Sequence, residues 1–494
     1  MKKQALKKRF LIPKGVENVA KTLKNAGFEA YFVGGCVRDL FLNRKPKDWD
    51  ITTNAIPEEI IKLFIKTFYE NNFGTVGVVD ETAEDETLKV IEVTPYRLES
   101  GYSDFRHPDS VKFSKKIEDD LNRRDFTINS IAINSKGQII DLFGGQDDIK
   151  NRTIKTVGDP EKRFTEDALR ILRAVRFSAE LGFTINIDTQ KAIEKHANLL
   201  GKISKERIRD EFQKIIMSEN PMVAMVMCQK MSILSHISPI FDKMIGVSQN
   251  QAHSYDVWEH SLRTLQHSAD KNMPLDVRLA ALFHDIGKPE TKRHSEKKNE
   301  PTFYGHDVVG ARITKKVLED LKFPKKIIEK VVKLVRWHMF FSDTEQITLS
   351  AVRRMVANVG KENIWDLMDV RTCDRIGTGR PKENPYRLRK YRAMIEEAMR
   401  DPISVQMLKI DGKKLMEITK ANPGPKIGFI LHALLEEVLE NPKNNDEKWL
   451  ENRALELNKL SEKRLKKLGE KGKEKKEEFD EKEVSEIRKK HWVK

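Results

Sequence analysis

The chain has 494 residues, 39% hydrophobic and 34% charged, enough for roughly three compact domains of ordinary size. No apolar run reaches the ~20 residues that cross a bilayer, and the basic stretch Met1–Arg9 leads to Pro13 and Lys14 rather than to an apolar signal core; a membrane protein is not expected, and a cytoplasmic chain starting at Met1 is. Lysine and arginine number 91 against 76 acidic residues, and the formal charge of +15 suits a polyanionic partner. Cys36, Cys228 and Cys373 are odd in number and lack any CxxC spacing, which argues against a disulfide framework or a thiolate zinc site.

In chain order, Val16, Val19, Ala20 and Leu23 give a first helix its apolar face. Short β-rich runs at Glu29–Val33, Asp50–Thr53, Lys89–Thr94 and Gln138–Leu142 alternate with helical ones, predicting an α+β head over residues 1–152. From Pro160 the periodicity becomes helical, with caps at Asp159-Pro160 and Ser204, and the one strand-like stretch is Phe183–Ile187. A helical neck is expected over 153–250, a second helical domain over 251–380 and a helical body over 381–460. Charges of both signs dominate 461–494, an exposed helix or a disordered tail.

Within the head, Tyr31-Phe32-Val33 runs into Gly34-Gly35-Cys36-Val37-Arg38. Two glycines at a strand-to-helix turn let backbone N–H groups approach a phosphate, and Arg38 can add a bidentate contact; plain turn chemistry is the alternative. Asp48 and Asp50 follow in Lys47-Asp48-Trp49-Asp50. Residues i and i+2 of a strand share a face, so the two carboxylates stand side by side and invite a divalent cation, unless the pair is only an exposed acidic turn. Glu92, in Val90-Ile91-Glu92-Val93-Thr94, is either a third carboxylate or an edge-strand glutamate.

These residues resemble the class II tRNA nucleotidyltransferases and bacterial poly(A) polymerases of the polymerase-β-like superfamily. Three more segments carry the resemblance: Tyr102-Ser103-Asp104-Phe105-Arg106-His107-Pro108, Glu118 to Asn129 and Arg163 to Arg170. It implies a nucleotidyltransferase head in which Asp48 and Asp50 hold catalytic Mg²⁺, Gly34, Gly35 and Arg38 lie at the triphosphate, and Arg123, Arg124, Asp125 and Arg173 line the nucleotide pocket. A structural salt bridge remains the other reading of Arg124-Asp125. Glu166-Asp167-x-x-Arg170 also has a physical reading. On a helix Asp167 and Arg170 are neighbours, an acceptor beside donors, matching the amino group and ring nitrogen of cytosine and adenine but not uracil or guanine. A surface ion pair is the alternative.

The helical half holds a second constellation: His260, His284-Asp285, His306, His338 and Asp374. More than half of the 12 histidines fall between His253 and His338. In this order they resemble the HD metal-dependent phosphohydrolases, which implies one or two divalent ions, of Mg, Mn, Co or Ni, held by His260, His284, Asp285 and Asp374, with His306 and His338 serving a second metal or the phosphate. A degenerate fold kept for packing is the other possibility. Asp411-Gly412 and Pro423 to Gly428 extend the resemblance to about residues 14–460.

The reading is a template-independent enzyme adding the 3′-terminal C-C-A of tRNA from CTP and ATP, gripping the acceptor arm, with an HD phosphatase or 2′,3′-cyclic phosphodiesterase attached. No protein partner is implied. Poly(A) or A-only addition is the near alternative; a hydrolase with an RNA-gripping head is the more distant one. Leu98–Pro108, the family's flexible loop for A addition, argues against CC-only addition.

Overall fold

The computed structural model describes residues 10–69, 74–101, 110–250, 254–296, 299–339, 347–400 and 404–468. The chain divides into two units, Met1–Pro239 and Ile240–Lys494. Among the described residues no helix is long and apolar enough to cross a membrane.

The first unit opens with α1 (Lys14–Asn25), which buries the expected stripe Val16, Val19, Ala20 and Leu23. β1 (Ala30–Val33) leads through a tight turn into α2 (Gly35–Phe41), and β2 (Asp50–Thr53) and α3 (Pro57–Leu63) follow. Next come β3 (Thr67–Tyr69), β4 (Val76–Val79), β5 (Val90–Pro95), and a hairpin of β6 (Arg97–Ser100) with β7 (Ser110–Phe113). After α4 (Ile117–Asn122) come β8 (Ile131–Ile133), β9 (Ile139–Asp141) and α5 (Gly145–Lys150). A seven-stranded sheet forms in the order β3-β4-β5-β2-β1-β8-β9. β2 is central, antiparallel to β1 and parallel to β5, and the registers Phe32↔Ile51 and Asp50↔Glu92 fix which side chains share a face. Phe32, Ile51, Val93 and Ile131 are fully buried around it.

The four predicted strands are present. Five others were missed: Ile131-Ala132-Ile133 is a continuous apolar run without alternation, and the rest are only three or four residues long. Residues 102–109, with the motif Tyr102–Pro108, lie outside the described residues.

β10 (Thr153–Ile154) pairs in parallel with β11 (Thr184–Ile185), inside the expected stretch Phe183–Ile187. Around this pair lie α6 (Pro160–Glu166), α7 (Leu169–Leu181), α8 (Ile187–His196), α9 (Lys205–Ile216), α10 (Pro221–Lys230) and α11 (Leu234–Ile237). Asp159 caps α6 by accepting the Glu161 N–H at 3.1 Å, with Pro160 at the first helical position. Ser204 stands at the start of α9 without a side-chain cap bond, so its contribution there is only its extended backbone.

The second unit is helical. α12 (Val257–Asp270), α13 (Leu275–Phe283) and α14 (Lys288–Thr291) precede a hairpin of β12 (Arg293–Ser295) with β13 (Glu300–Thr302), two short strands that the helical expectation for this half did not include. Each strand has three residues, too few for a periodic signal. Then come α15 (His306–Asp320), α16 (Lys325–Trp337), α17 (Leu349–Val359), α18 (Ile364–Gly377) and α19 (Tyr386–Arg400). α18 packs closely on α12 because Gly377 has no side chain: a β-carbon there would lie 3.0 Å from the His260 carbonyl. α20 (Gly412–Thr419), α21 (Pro425–Glu440) and α22 (Glu447–Asn458) form a small bundle. Residues 462–468 are helical with Leu465 buried, and the remainder of the charged tail lies outside the described residues.

Two candidate catalytic sites

Gly34 holds φ at +82° between β1 and α2, a backbone state that side chains resist. A β-carbon there would meet Asp50 Oδ2 at 2.9 Å and Arg124 Nη1 at 3.2 Å, and one on Gly35 would meet Asp48 Oδ1 at 3.6 Å. Both carboxylates therefore face the glycine turn. Asp48 precedes β2, in a bend, rather than lying on the strand as the alternation argument assumed. Glu92 stands in register beside Asp50 on β5, so the two lie on one face of the sheet. Burial, helped by Asp48 and Asp120 and opposed by Arg124, raises the Asp50 carboxyl to about 6. A surplus of negative charge at Asp48 and Asp50 is what a divalent cation would relieve. Arg38 Nη2 would lie 3.7 Å from a β-carbon on Gly35, and the guanidinium is already partly engaged: Nε and Nη2 bond Asp39 Oδ1 at 2.9 and 2.8 Å and Nη1 bonds Asn129 Oδ1 at 2.9 Å. It braces α2 and keeps one N–H on each of Nη1 and Nη2 for a ligand.

A cavity of about 260 Å³ is lined by Arg123, Arg124, Asp125, Asp167, Leu169, Arg170, Arg173 and Arg207. Its floor is an ion-pair network. Asp120, fully buried, accepts from Arg123 Nη2 at 2.6 Å, Arg124 Nη2 at 3.1 Å and Thr52 Oγ1 at 3.1 Å. Asp125 accepts from Arg173 Nε at 2.8 Å and Nη2 at 2.6 Å and from Asn129 Nδ2 at 3.1 Å; against the burial that would raise it, these partners hold its carboxyl well below the usual range. Arg124 and Asp125 therefore bond different partners and not each other.

Asp167 and Arg170 line this cavity, but not as an i,i+3 pair on one helix. Asp167 ends α6 in an extended conformation and takes the Leu169 N–H on Oδ1 at 3.1 Å, opening α7. An aspartate in that position competes for the helix's first amides, so the chain breaks where continuous helix was expected. Its carboxylate turns to α9 and accepts from Arg207 Nη1 at 3.2 Å and Nη2 at 3.0 Å. Arg170 instead bonds Glu166 Oε2 at 2.7 Å, the Arg163 carbonyl at 3.1 Å and, through Nη2, the Arg123 carbonyl at 3.1 Å. One turn beyond Arg207, Glu211 pairs with Arg176 at 2.9 Å. The sequence reading missed Asp120, Asn129, Arg207 and Glu211; in Lys205-Glu206-Arg207-Ile208-Arg209-Asp210-Glu211 the last two would pass for an intrahelical pair.

In the second unit all six expected side chains converge. His260 Nε2 lies 3.0 Å from His284 Nε2, 3.2 Å from Asp285 Oδ2 and 3.3 Å from Asp374 Oδ1. His306 and His338 stand 3.3 Å apart through Nε2 and lie 3.3 and 3.7 Å from Asp285 Oδ1. Asp285 is thus shared by two histidine pairs, and two overlapping ligand groups result, His260-His284-Asp285 and Asp285-His306-His338. The Nδ1 atoms of His284, His306 and His338 lie 2.8, 2.7 and 2.7 Å from the carbonyls of Ala281, Phe303 and Val335. A carbonyl only accepts, so each Nδ1 carries the proton and each Nε2 turns a lone pair inward, the ligand tautomer. Burial would lower His260, but Asp285 and Asp374 outweigh it and raise the ring to about 9, a field suited to a cation. Lys288 donates to Asp285 Oδ2 at 2.5 Å, and Arg371 to Asp374 Oδ2 at 2.5 Å. The centre opens on a cavity of about 780 Å³ whose walls include Tyr304, Arg375, Arg380 and Arg387. His253 lies outside the described residues.

Each unit of the chain also matches a known protein family. Residues 30–155 match the Poly A polymerase head domain, 182–245 the "Probable RNA and SrmB- binding site of polymerase A", and 257–376 the HD domain. The chain is 52% identical over 198 residues to the CCA-adding enzyme of Lactobacillus helveticus, covering 40% of this chain and 48% of that one. It is 44% identical over 251 residues to the CCA-adding enzyme of Leuconostoc mesenteroides, covering 49% and 61%. The chain thus spans about half the length of the curated relatives it matches. The crystal structure of the Bacillus stearothermophilus CCA-adding enzyme in complex with CTP aligns over 92% of this chain and 100% of its own, at 28% identity and a TM-score of 0.69. The Thermotoga maritima CCA-adding enzyme complexed with tRNA shares the fold, at 21% identity and a TM-score of 0.54 over 91% of this chain and 97% of its own. Three family models thus match in order along the chain: a Poly A polymerase head domain, the region of the polymerase behind it, and an HD domain.

Proposed function

We propose that the chain adds the 3′-terminal C-C-A to tRNA from CTP and ATP in the cytoplasm, without a nucleic acid template. The observation that carries the reading is Arg124, which reaches the Gly34 turn beside Asp50 and also lines the cavity holding Asp167 and Arg170. One nucleotide can therefore lay its phosphates at the glycines and its base against the acceptor and donor. Asp48 and Asp50, with Glu92 beside them, would hold divalent ions, for which Mg²⁺ is proposed. Such ions, when bound, acidify the primer hydroxyl and neutralise the departing pyrophosphate. Gly34 and Gly35 admit the triphosphate, and Arg123, Arg124 and Arg173 supply positive charge around the nucleotide. Asp167 accepts from the amino group of cytosine or adenine, and Arg170 donates to the ring nitrogen beside it. Basic side chains of the helical regions hold the acceptor arm by backbone and shape.

The HD centre is proposed to hydrolyse phosphoesters, as a phosphatase or 2′,3′-cyclic phosphodiesterase. His260, His284, Asp285 and Asp374 would hold one divalent ion and His306, His338 and Asp285 a second, of Mg, Mn, Co or Ni, the chemistry supplied being activation of water. Lys288 and the wall arginines meet the phosphate.

The test is incubation with tRNA ending before its C-C-A, with CTP alone, ATP alone and both. Two additions with CTP and a third only when ATP is also present are expected. A run of adenylates on any RNA end would make the chain a poly(A) polymerase, and no incorporation would overturn the reading.

A further inference from the structure

We propose that Arg375, Arg380 and Arg387 form a second phosphate site in the HD cavity, so that the substrate is a nucleotide with a 5′-phosphate besides the 2′,3′-ester being cleaved. The inference rests on the phosphodiesterase reading above. A cavity of about 780 Å³ is of the size that encloses a whole nucleotide-sized ligand rather than a phosphate group alone. Its cations fall into two sets. Lys288 and Arg371 bond Asp285 and Asp374, and so belong to the histidine cluster. Arg375, Arg380 and Arg387 line the same cavity but, among the described residues, bond no carboxylate. Arg375 gives its Nε–H to the Lys382 carbonyl at 2.7 Å and keeps both Nη groups, while Arg380 and Arg387 have no side-chain partner among the described residues. Beyond Asp285 and Asp374, the wall sets only Glu300 against them. Burial, and then the like charges of Arg380 and Arg371, disfavour the charge on Arg375, with Asp374 offsetting in part. An anion relieves that repulsion. Three guanidiniums are more than one phosphate group, already met by Lys288, can use.

The three are set before a ligand arrives. Arg375 lies in the last turn of α18, Arg380 in the connection to α19, and Arg387 in the first turn of α19. In that connection Gly379 turns with φ at +93°, Pro381 and Pro385 stiffen the chain, and Glu383 is tied to Lys271 at 2.8 Å. Tyr304 and Tyr386 line the same space at 49% and 67% exposure, rings on which a base can stack. With the 2′ and 3′ oxygens of the sugar engaged at the histidine cluster, the remaining sugar oxygen that carries phosphate is the 5′. In the cleavage, the oxygen of water bonds to phosphorus, one P–O bond of the cyclic ester breaks, and the departing sugar oxygen takes the proton; the 5′-phosphate only binds. A bisphosphorylated nucleoside and the last residue of an RNA chain both offer this chemistry.

The experiment compares three probes on the full-length, Mn²⁺-loaded chain: adenosine 2′,3′-cyclic phosphate, the same compound with a 5′-phosphate, and a trinucleotide ending in a 2′,3′-cyclic phosphate. The 5′-phosphate is expected to raise kcat/KM about tenfold or more, mainly through KM, and the ratio should fall to about one when Arg380→Gln and Arg387→Gln are combined. Arg389→Gln, on α19 but absent from the cavity wall, should keep the wild-type ratio. Calorimetry in chelator gives a readout apart from hydrolysis: adenosine 3′,5′-bisphosphate should bind wild type about tenfold tighter than adenosine 3′-phosphate, and the double variant should lose the difference. A trinucleotide cleaved as well as the 5′-phosphorylated probe supports the site with an RNA end as its source; one cleaved no better than the unphosphorylated probe supports it with a free nucleotide. If the double variant does not fold, by its melting curve, the two single variants decide. Equal kcat/KM with and without the 5′-phosphate, or a preference that survives in the folded variants, overturns the inference while leaving the hydrolase reading intact. No hydrolysis of any probe with Mn²⁺, Mg²⁺, Co²⁺ or Ni²⁺ overturns that reading itself.

Discussion

The Asp50 carboxylate lies against the backbone of Gly34, so closely that a β-carbon on the glycine would meet Oδ2 at 2.9 Å. The contact couples a turn to a ligand. Gly34→Ala would force φ of +82° on a residue that resists it, at about 1–3 kcal/mol, and would push the carboxylate from its place. Nucleotide incorporation should fall by at least two orders of magnitude with tRNA binding within about threefold of wild type. Incorporation near wild type would show that the turn tolerates a side chain and that Asp50 is not held by it.

Asp50→Asn separates activity from stability. Burial raises this carboxyl to about 6 in the folded chain, above the roughly 3.9 of an unfolded aspartate, so the folded state binds the proton more tightly and stability falls as pH rises through that window. Asparagine escapes the cost. In chelator at pH 7.5 the variant should be more stable than wild type by about 1 kcal/mol, with the gain gone by pH 4. Incorporation should drop by orders of magnitude. Equal melting curves at both pH values would mean that Asp50 is not strained by its charge.

These two positions were legible in the sequence because the information is local: Val33-Gly34-Gly35 and Asp48-x-Asp50 each lie within a few residues. The six HD residues were legible too, although spread from His260 to Asp374, because their types and order are unusual. What stayed hidden depends on a third dimension. Nothing in residues 163–170 announces that the helix breaks at Asp167, since Glu166-Asp167 reads as continuous helix, and nothing in α9 says that Arg207 faces across to Asp167 instead of along to Glu211. Nor does the motif announce that Arg38 also braces its own helix, through Asp39 and Asn129.

If Asp167 tests for an amino group as proposed, Asp167→Ala should lower discrimination against UTP and GTP by about one to two decades in relative kcat/KM. Arg170→Ala should weaken use of both CTP and ATP with a smaller change in selectivity, because the acceptor survives. Four-nucleotide kinetics on one tRNA decide it. A uniform loss in Asp167→Ala, with its CTP-to-UTP ratio kept, would reduce the motif to helix architecture.

The HD centre predicts unequal losses from its two aspartates. Asp285 faces both histidine pairs, Asp374 only His260 and His284. After loading with Mn²⁺ or Ni²⁺, Asp285→Asn should retain neither ion and Asp374→Asn should lose one equivalent by elemental analysis, with phosphoester hydrolysis abolished in both. The C-C-A addition proposed for the other unit should persist. Equal metal content in the two variants would contradict the shared-carboxylate arrangement.

The bonds from His284 and His338 to the carbonyls of Ala281 and Val335 join two properties usually considered apart. Those carbonyls belong to the closing turns of α13 and α16, where backbone acceptors have no partner further along the helix. Each ring therefore finishes its helix and, by the same hydrogen, fixes its own tautomer. Fraying of either helix end frees Nδ1, lets the proton migrate to Nε2 and removes a ligand lone pair, so chelating strength and helix-end order rise and fall together. Amide exchange in the closing turns of α13 and α16 thus becomes a gauge of metal occupancy: added metal should slow it there, although the metal touches no backbone atom of either turn.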